Sequence, residues 1–126
     1  MKRLILILIF AISGLITQSQ ILSPITILTD KLKVDEITNI PNGNVLYLFE
    51  VPNDEYILFA IASNDTIITT IKVFGISVLN ESINFFNSKF VKSADLVWLD
   101  YTTGIKYEIE IRKSDNAFVL TASLFE

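Results

Sequence analysis

The stretch that decides the fold class is Ser77-Val78-Leu79-Asn80-Glu81-Ser82-Ile83-Asn84-Phe85-Phe86-Asn87-Ser88-Lys89-Phe90. Its apolar residues recur at intervals of four, three and four, at Leu79, Ile83, Phe86 and Phe90. This spacing is typical of one face of an amphipathic helix. Glu81 near the start and Lys89 near the end suit the helix dipole, and Ser77 or Asn80 is a suitable N-cap. The pattern predicts one helix near residues 77–91.

On both sides of this helix the sequence has the character of β-strands. Runs rich in Ile, Val, Phe, Tyr and Leu alternate with turn signals that contain Asn, Gly, Pro or Asp. These signals predict strands near residues 32–38, 44–51, 56–62, 66–74, 95–101, 105–112 and 117–125. The second and third runs are apolar at nearly every position, which predicts central strands or strands covered on both faces. The run at 105–112 alternates strictly between apolar and charged residues, so one of its faces should contact water.

The order of these elements predicts an α+β fold. We expect a curved antiparallel β-sheet of about six to seven strands, packed against the one amphipathic helix near residues 77–91. The alternative is an all-β sandwich or small barrel in which the helix is peripheral. Residues 32–126 form the single domain in this interpretation, and residues 20–31 are a lead-in segment or an additional edge strand.

The N-terminus has the pattern of an export signal. Met1-Lys2-Arg3 is basic, the next nine residues are apolar, and Thr17 and Ser19 are small residues at the positions that precede a cleavage site. This predicts a signal peptide over residues 1–19, cleavage after Ser19, and a secreted or periplasmic protein. The alternative is a retained membrane anchor, although a bilayer requires about 20 apolar residues and the run from residue 4 to 16 is shorter.

Composition excludes several classes of function. The 126-residue chain has neither Cys nor His, which excludes disulfides, thiol nucleophiles, imidazole ligands and Ser-His-Asp triads. The formal net charge is −4 and becomes −6 when Lys2 and Arg3 are removed with the signal. This charge argues against nucleic acids and anionic membranes as partners. No motif for a cofactor or a metal is present, and we expect none to be bound.

Carboxylates are the main acid–base groups that remain. Asp95 and Asp100 would lie on opposite faces of a strand, about 17 Å apart. Glu108 and Glu110 share a face with Lys106 and Arg112, which predicts a solvated row of charges rather than a catalytic pair.

Four aromatic residues are the candidates for a binding surface or pocket: Trp98, Tyr47, Tyr101 and Tyr107. Aromatic side chains are enriched at binding surfaces, although each of these alternates with aliphatic residues as core residues do. The leading functional hypothesis is a small exported, non-enzymatic module that binds another protein through an apolar patch or a free strand edge. The alternative is a small apolar-ligand-binding protein with a cavity lined by Phe49, Phe59, Tyr47 and Trp98. A second alternative is a carboxylate-dependent hydrolase.

Overall fold

The computed structural model describes residues 20–125. The predicted signal peptide over residues 1–19 and its cleavage site therefore lie outside the described residues. The described part has two α-helices and eight strands: α1 (Thr26–Thr29), β1 (Lys33–Asn39), β2 (Val45–Glu50), β3 (Ile57–Ser63), β4 (Thr66–Gly75), α2 (Leu79–Lys89), β5 (Val91–Ala94), β6 (Val97–Asp100), β7 (Ile105–Arg112) and β8 (Ala117–Leu124). The helix α1 is a single turn, so α2 is the one substantial helix.

The eight strands form one antiparallel sheet in the order β1-β2-β3-β4-β8-β7-β6-β5. The first four strands follow one another as hairpins, and the last four do the same. The two halves join where β4 pairs with β8 over seven residue pairs. The chain leaves β4 at the centre of the sheet and reaches the far edge strand β5 through α2. The sheet is open, with β1 and β5 at its edges.

The predicted α+β class and antiparallel sheet are confirmed, but the predicted count of six to seven strands is too low. The missed strand is β5, whose four residues are all exposed and include Lys92 and Ser93. Such a strand has no apolar alternation to reveal it. The strand predicted at 95–101 begins only at Val97, because Asp95 and Leu96 form the turn after β5 and Leu96 has a φ of 57°. The sheet does not close, so the barrel alternative is not the structure observed.

Left-handed Asn and Asp residues shape several of the turns. Asn64 and Asp65 have φ values of 50° and 62° and connect the paired residues Ser63 and Thr66. Positive φ at both central residues is the signature of the type I′ turn that matches the twist of a hairpin. Elsewhere Asn42, Asn53 and Asn116 also have positive φ. Asn tolerates this conformation better than other residues with a Cβ, which explains its frequency at the turns.

One face of the sheet, here called the covered face, carries the hydrophobic core. In β8 its residues are Phe118, Leu120 and Ala122, which are 0–4% exposed. The helix α2 lies over the β6–β7 part of this face, where the fully buried Phe86 ring stacks on Trp98 with centroids 5.0 Å apart. The Trp98 indole N–H also donates to the Asn87 side-chain oxygen at 2.9 Å. The predicted helical stripe therefore does face the core.

Helix α2 does not cover the sheet alone. The lead-in contributes Ile21, Ile25 and Leu28 to the same buried cluster. Its backbone is held at the start of β4, where the Leu22 N–H donates to the Ile67 carbonyl at 2.7 Å and the Ile67 N–H donates to the Ser23 carbonyl at 2.9 Å. We expected the sheet to pack against one helix. The structure corrects this, because two segments, α2 and the lead-in, pack on the covered face.

The start of α2 differs from the predicted capping. Val78 is the N-cap residue, and no side chain caps the helix there. The Ser82 hydroxyl donates to the Val78 carbonyl at 2.8 Å, and the residue is buried. A hydroxyl that bonds back to the carbonyl four residues earlier is satisfied without leaving the helix.

Candidate functional site: the open face of the sheet

The second face of the sheet, here called the open face, is the main candidate for a binding surface. Side chains alternate between the two faces of a strand, so Val119 and Thr121 lie opposite the buried residues of β8. Val119 lies between Val73 and Glu110 on the neighbouring strands. Among the described residues, both α2 and the lead-in contribute to the core on the covered face, and the open face keeps its apolar side chains only half-buried.

A groove of about 400 Å³ crosses the open face from β2 to β8. Half-buried apolar side chains line its length: Leu46, Phe59, Ile71, Val73, Ala117 and Val119. Arg112 and Asp115 lie at the end of the groove near the turn between β7 and β8. Half-buried apolar side chains in a concave surface gain most when a second apolar surface removes the remaining water. The groove therefore has the chemistry of a hydrophobic contact site with a small charged margin.

The open face changes character at β7, where it is charged. The Lys106 ammonium lies 2.8 Å from a Glu108 carboxylate oxygen, and the Arg112 guanidinium lies 3.2 Å from a Glu110 carboxylate oxygen. The predicted solvated row of charges is therefore present. Its pairs join neighbours along β7 itself. The four side chains are partly to mostly exposed, so these pairs contribute little to folding stability.

The sheet edges are less suited to binding than the open face. The edge strand β1 contains Asp35 and Glu36 and has a register irregularity between Val34 and Glu36. The other edge, β5, has four residues and a similar irregularity after Lys92. Charges, short length and bulges are the features by which natural sheets discourage pairing with another strand. Addition of a partner strand is thus disfavoured at both edges.

The structure separates the four aromatic candidate residues. Trp98 and Tyr107 are register partners on the covered face, both buried beneath Phe86. Tyr47 is half-buried on the same face and stacks on Phe49. Tyr101 is 67% exposed in the turn after β6, with Phe125 edge-on to its ring. The four residues do not meet at a common surface.

Of the residues expected to line a ligand cavity, only Phe59 lines the groove. Arg112 was expected only in the solvated row of charges, and the remaining groove residues were not among the candidates predicted from the sequence. In β4, Ile71 and Val73 alternate with the polar residues Thr70 and Lys72. That pattern suggests Ile71 and Val73 for the core. In the structure the relation is reversed, because Thr70 and Lys72 are 2% and 4% exposed on the covered face.

Lys72 is the most unusual titratable group among the described residues. It lies on the covered face between Leu58 and Leu120, which are 2% and 3% exposed. Burial disfavours the charged ammonium and lowers the pKa of Lys72 from 10.5 to about 8. Lys72 makes a further interaction, and it does not line the groove. Lys72 therefore affects stability and has no evident place in the candidate site.

A second depression, of about 330 Å³, lies where the lead-in meets the end of β2. Lys31, Lys33 and Glu50 line it together with Leu32 and Val51. The Lys33 ammonium lies 3.7 Å from a Glu50 carboxylate oxygen, and both side chains are mostly exposed. This depression is more polar than the groove and is therefore less suited to an apolar contact.

Residues suited to acid–base or metal chemistry do not gather at the groove. Asp115 is the one carboxylate among the described residues that line it. Across residues 20–125, no group of three or more Asp or Glu side chains is placed to hold a metal ion. Within the same residues, no helix is long and apolar enough to cross a membrane.

The chain matches no protein-family model, and comparisons with curated proteins and with solved structures found no similar protein.

Proposed function

We propose that this protein is a small exported, non-enzymatic binding module that holds a protein partner on the open face of its sheet. The observation that carries the proposal is the groove of about 400 Å³ with its half-buried apolar lining. Contact surfaces of this kind owe their affinity to a few apolar anchors that become fully desolvated. The disfavoured edges support a face-to-face contact over the addition of a strand.

The partner proposed here presents apolar side chains to the groove. Phe59 and Ile71 form part of the groove lining, and Arg112 and Asp115 offer one charge of each sign at its end. Arg112 is already bound to Glu110, whereas Asp115 makes no ion pair among the described residues. Asp115 is thus the group at the groove that gains most from a cation on the partner.

The proposal is tested with a substitution inside the groove and a matched one outside it. Val119→Lys places a charge in the groove, while Ser123→Lys places the same charge on the same strand and face without lining the groove. Both variants are immobilised beside the unsubstituted protein and exposed to extracts of the source cells. We expect a protein that the unsubstituted chain and Ser123→Lys retain and that Val119→Lys loses by at least about tenfold, as for a hot-spot residue. Equal retention by both variants would contradict the proposal.

A second candidate function is the binding of a small apolar ligand. The groove volume supports it, because ligand sites begin at about 300 Å³ and this groove has about 400 Å³. A ligand site of this kind should bind an apolar fluorescent dye saturably, at one dye per chain, and Val119→Lys should abolish that binding. Weak binding without saturation would favour the protein partner. The carboxylate-dependent hydrolase remains an untested prediction.

A further inference from the structure

The turn between β1 and β2 contains a reactive pair of residues that the binding function does not use. Asn42 and Gly43 are both exposed, and their φ values are 74° and 75°. The turn is closed by a hydrogen bond from the Ile40 N–H to the Asn44 carbonyl at 3.0 Å. No atom outside the immediate neighbours lies within 4 Å of the place where a Cβ of Gly43 would be. Asn42 is therefore an exposed asparagine followed by a residue without a side chain, in a turn with free space at that residue.

We propose that Asn42 is a site of spontaneous deamidation. The Gly43 backbone nitrogen attacks the side-chain carbonyl carbon of Asn42, a C–N bond forms, and the side-chain amide leaves as ammonia. The five-membered succinimide that results is opened by one water molecule. Opening at one carbonyl produces aspartate, and opening at the other produces isoaspartate. Overall, one asparagine and one water are converted to one aspartate or isoaspartate and one ammonia. The reaction requires no oxidant, cofactor or enzyme.

The absence of a side chain at Gly43 is what distinguishes this asparagine. The ring closes only when the following residue rotates toward the Asn side chain, and Gly makes that rotation without a Cβ clash. Three other exposed asparagines, Asn53, Asn64 and Asn116, also have positive φ. Residues with a Cβ follow all three, Asp after the first two and Ala after the third. The chain thus contains its own matched comparison at similar backbone conformation and exposure.

Both products alter the hairpin that forms one edge of the sheet. Each adds a carboxylate to a chain whose formal net charge is already −4. Isoaspartate also routes the main chain through the former side chain, which inserts one carbon between β1 and β2. The first residue pair beyond the turn is Asn39 with Val45, so the inserted carbon lies close to the pairing of β1.

The test follows the conversion in the intact, folded protein. The protein is held in mildly alkaline buffer at physiological temperature, and peptide mapping by mass spectrometry measures amide loss at each asparagine over time. We expect Asn42 to convert first, about tenfold faster than Asn53, Asn64 or Asn116, with isoaspartate among the products. Conversion at Asn42 no faster than at these three sites would overturn the proposal.

A substitution at the neighbouring residue separates the chemistry from other causes. Gly43→Asp creates at this turn the same Asn-Asp pair that occurs naturally at residues 53–54 and 64–65. Asp tolerates positive φ better than most residues with a Cβ, so the turn should persist. We expect the conversion of Asn42 in this variant to fall to the rate at Asn53 and Asn64. An unchanged fast rate in Gly43→Asp would show that the missing side chain is not the cause, and would refute the mechanism.

Discussion

Replacement of Lys72 by Met should stabilise the protein, although it removes a basic residue from a chain whose formal net charge is −4. Lys72 is 4% exposed on the covered face, and burial lowers its pKa from 10.5 to about 8. Each unit of pKa shift corresponds to about 1.4 kcal/mol, so the shift amounts to a penalty of roughly 3 kcal/mol. Met has a similar unbranched shape and fills irregular core space without a charge.

The sign of the pH dependence follows from where the proton is bound. Between pH 8 and pH 10.5 the unfolded chain holds the Lys72 proton while the folded chain has released it. The free energy of unfolding should therefore rise with pH above about 8, and the full penalty is present below that value. The expected gain for Lys72→Met at pH 7 is about 1–3 kcal/mol, less than the full penalty at the lower end because Lys72 makes a further interaction that Met does not necessarily keep.

Urea denaturation followed by the fluorescence of the buried Trp98 measures this effect. Measurements at pH 7 and at about pH 9.5 should show a rise of roughly 2 kcal/mol in the unsubstituted protein and none in Lys72→Met. Both pH values lie below the pKa of Tyr56, which is raised by burial and by the nearby Glu55 carboxylate. Lys113→Met, at an exposed lysine, is the control and should change stability by less than about 0.5 kcal/mol. If Lys72→Met lowers stability at pH 7 and keeps the alkaline rise, the desolvation argument is wrong.

Three further predictions concern the core and a turn. Phe86→Ala should lower the free energy of unfolding by about 3–5 kcal/mol, because the fully buried ring stacks on Trp98; a loss below about 1 kcal/mol in urea denaturation would refute the proposed role of α2 in the core. Leu28→Ala should cost about 2–5 kcal/mol, whereas the adjacent Ile27→Ala, at a residue 39% exposed, should cost much less; equal losses would show that the lead-in does not pack as described. Asp65→Val should cost about 1–2 kcal/mol by thermal denaturation, because a β-branched residue opposes its φ of 62°; an unchanged melting temperature would contradict the type I′ turn.

The sequence predicts those parts of the fold that have a strong periodic signal. The stripe ending at Phe90 predicts α2, and the alternation from Ile105 to Arg112 predicts β7. Local patterns fail for β5, because a short exposed strand is held by its pairing with β6 and has no apolar pattern of its own. They also fail for Lys72, since the choice of face in β4 is set by pairing with β3 and β8.

The candidate site was harder to predict than the fold. Its residues come from five different strands and the turn after β7, and only the order of strands in the sheet places Leu46 and Val119 along the same groove. Trp98 and Tyr107 were predicted as candidates because they are aromatic, and the structure places both in the core. A half-buried aliphatic face of a sheet differs from a core face only in whether another element covers it. The alternation of apolar and polar residues along one strand does not show which face is covered.

Thiol protection in the complex is the most direct measurement of the central claim. The chain has no cysteine, so Val119→Cys introduces a single thiol in the groove and Thr102→Cys a single thiol in the exposed turn after β6. The rate of alkylation of each thiol is measured with and without the partner identified by the capture experiment. The proposed function predicts that the partner slows alkylation at position 119 by at least about tenfold and leaves position 102 unchanged. Unchanged alkylation at position 119 in the fully formed complex would contradict binding on the open face.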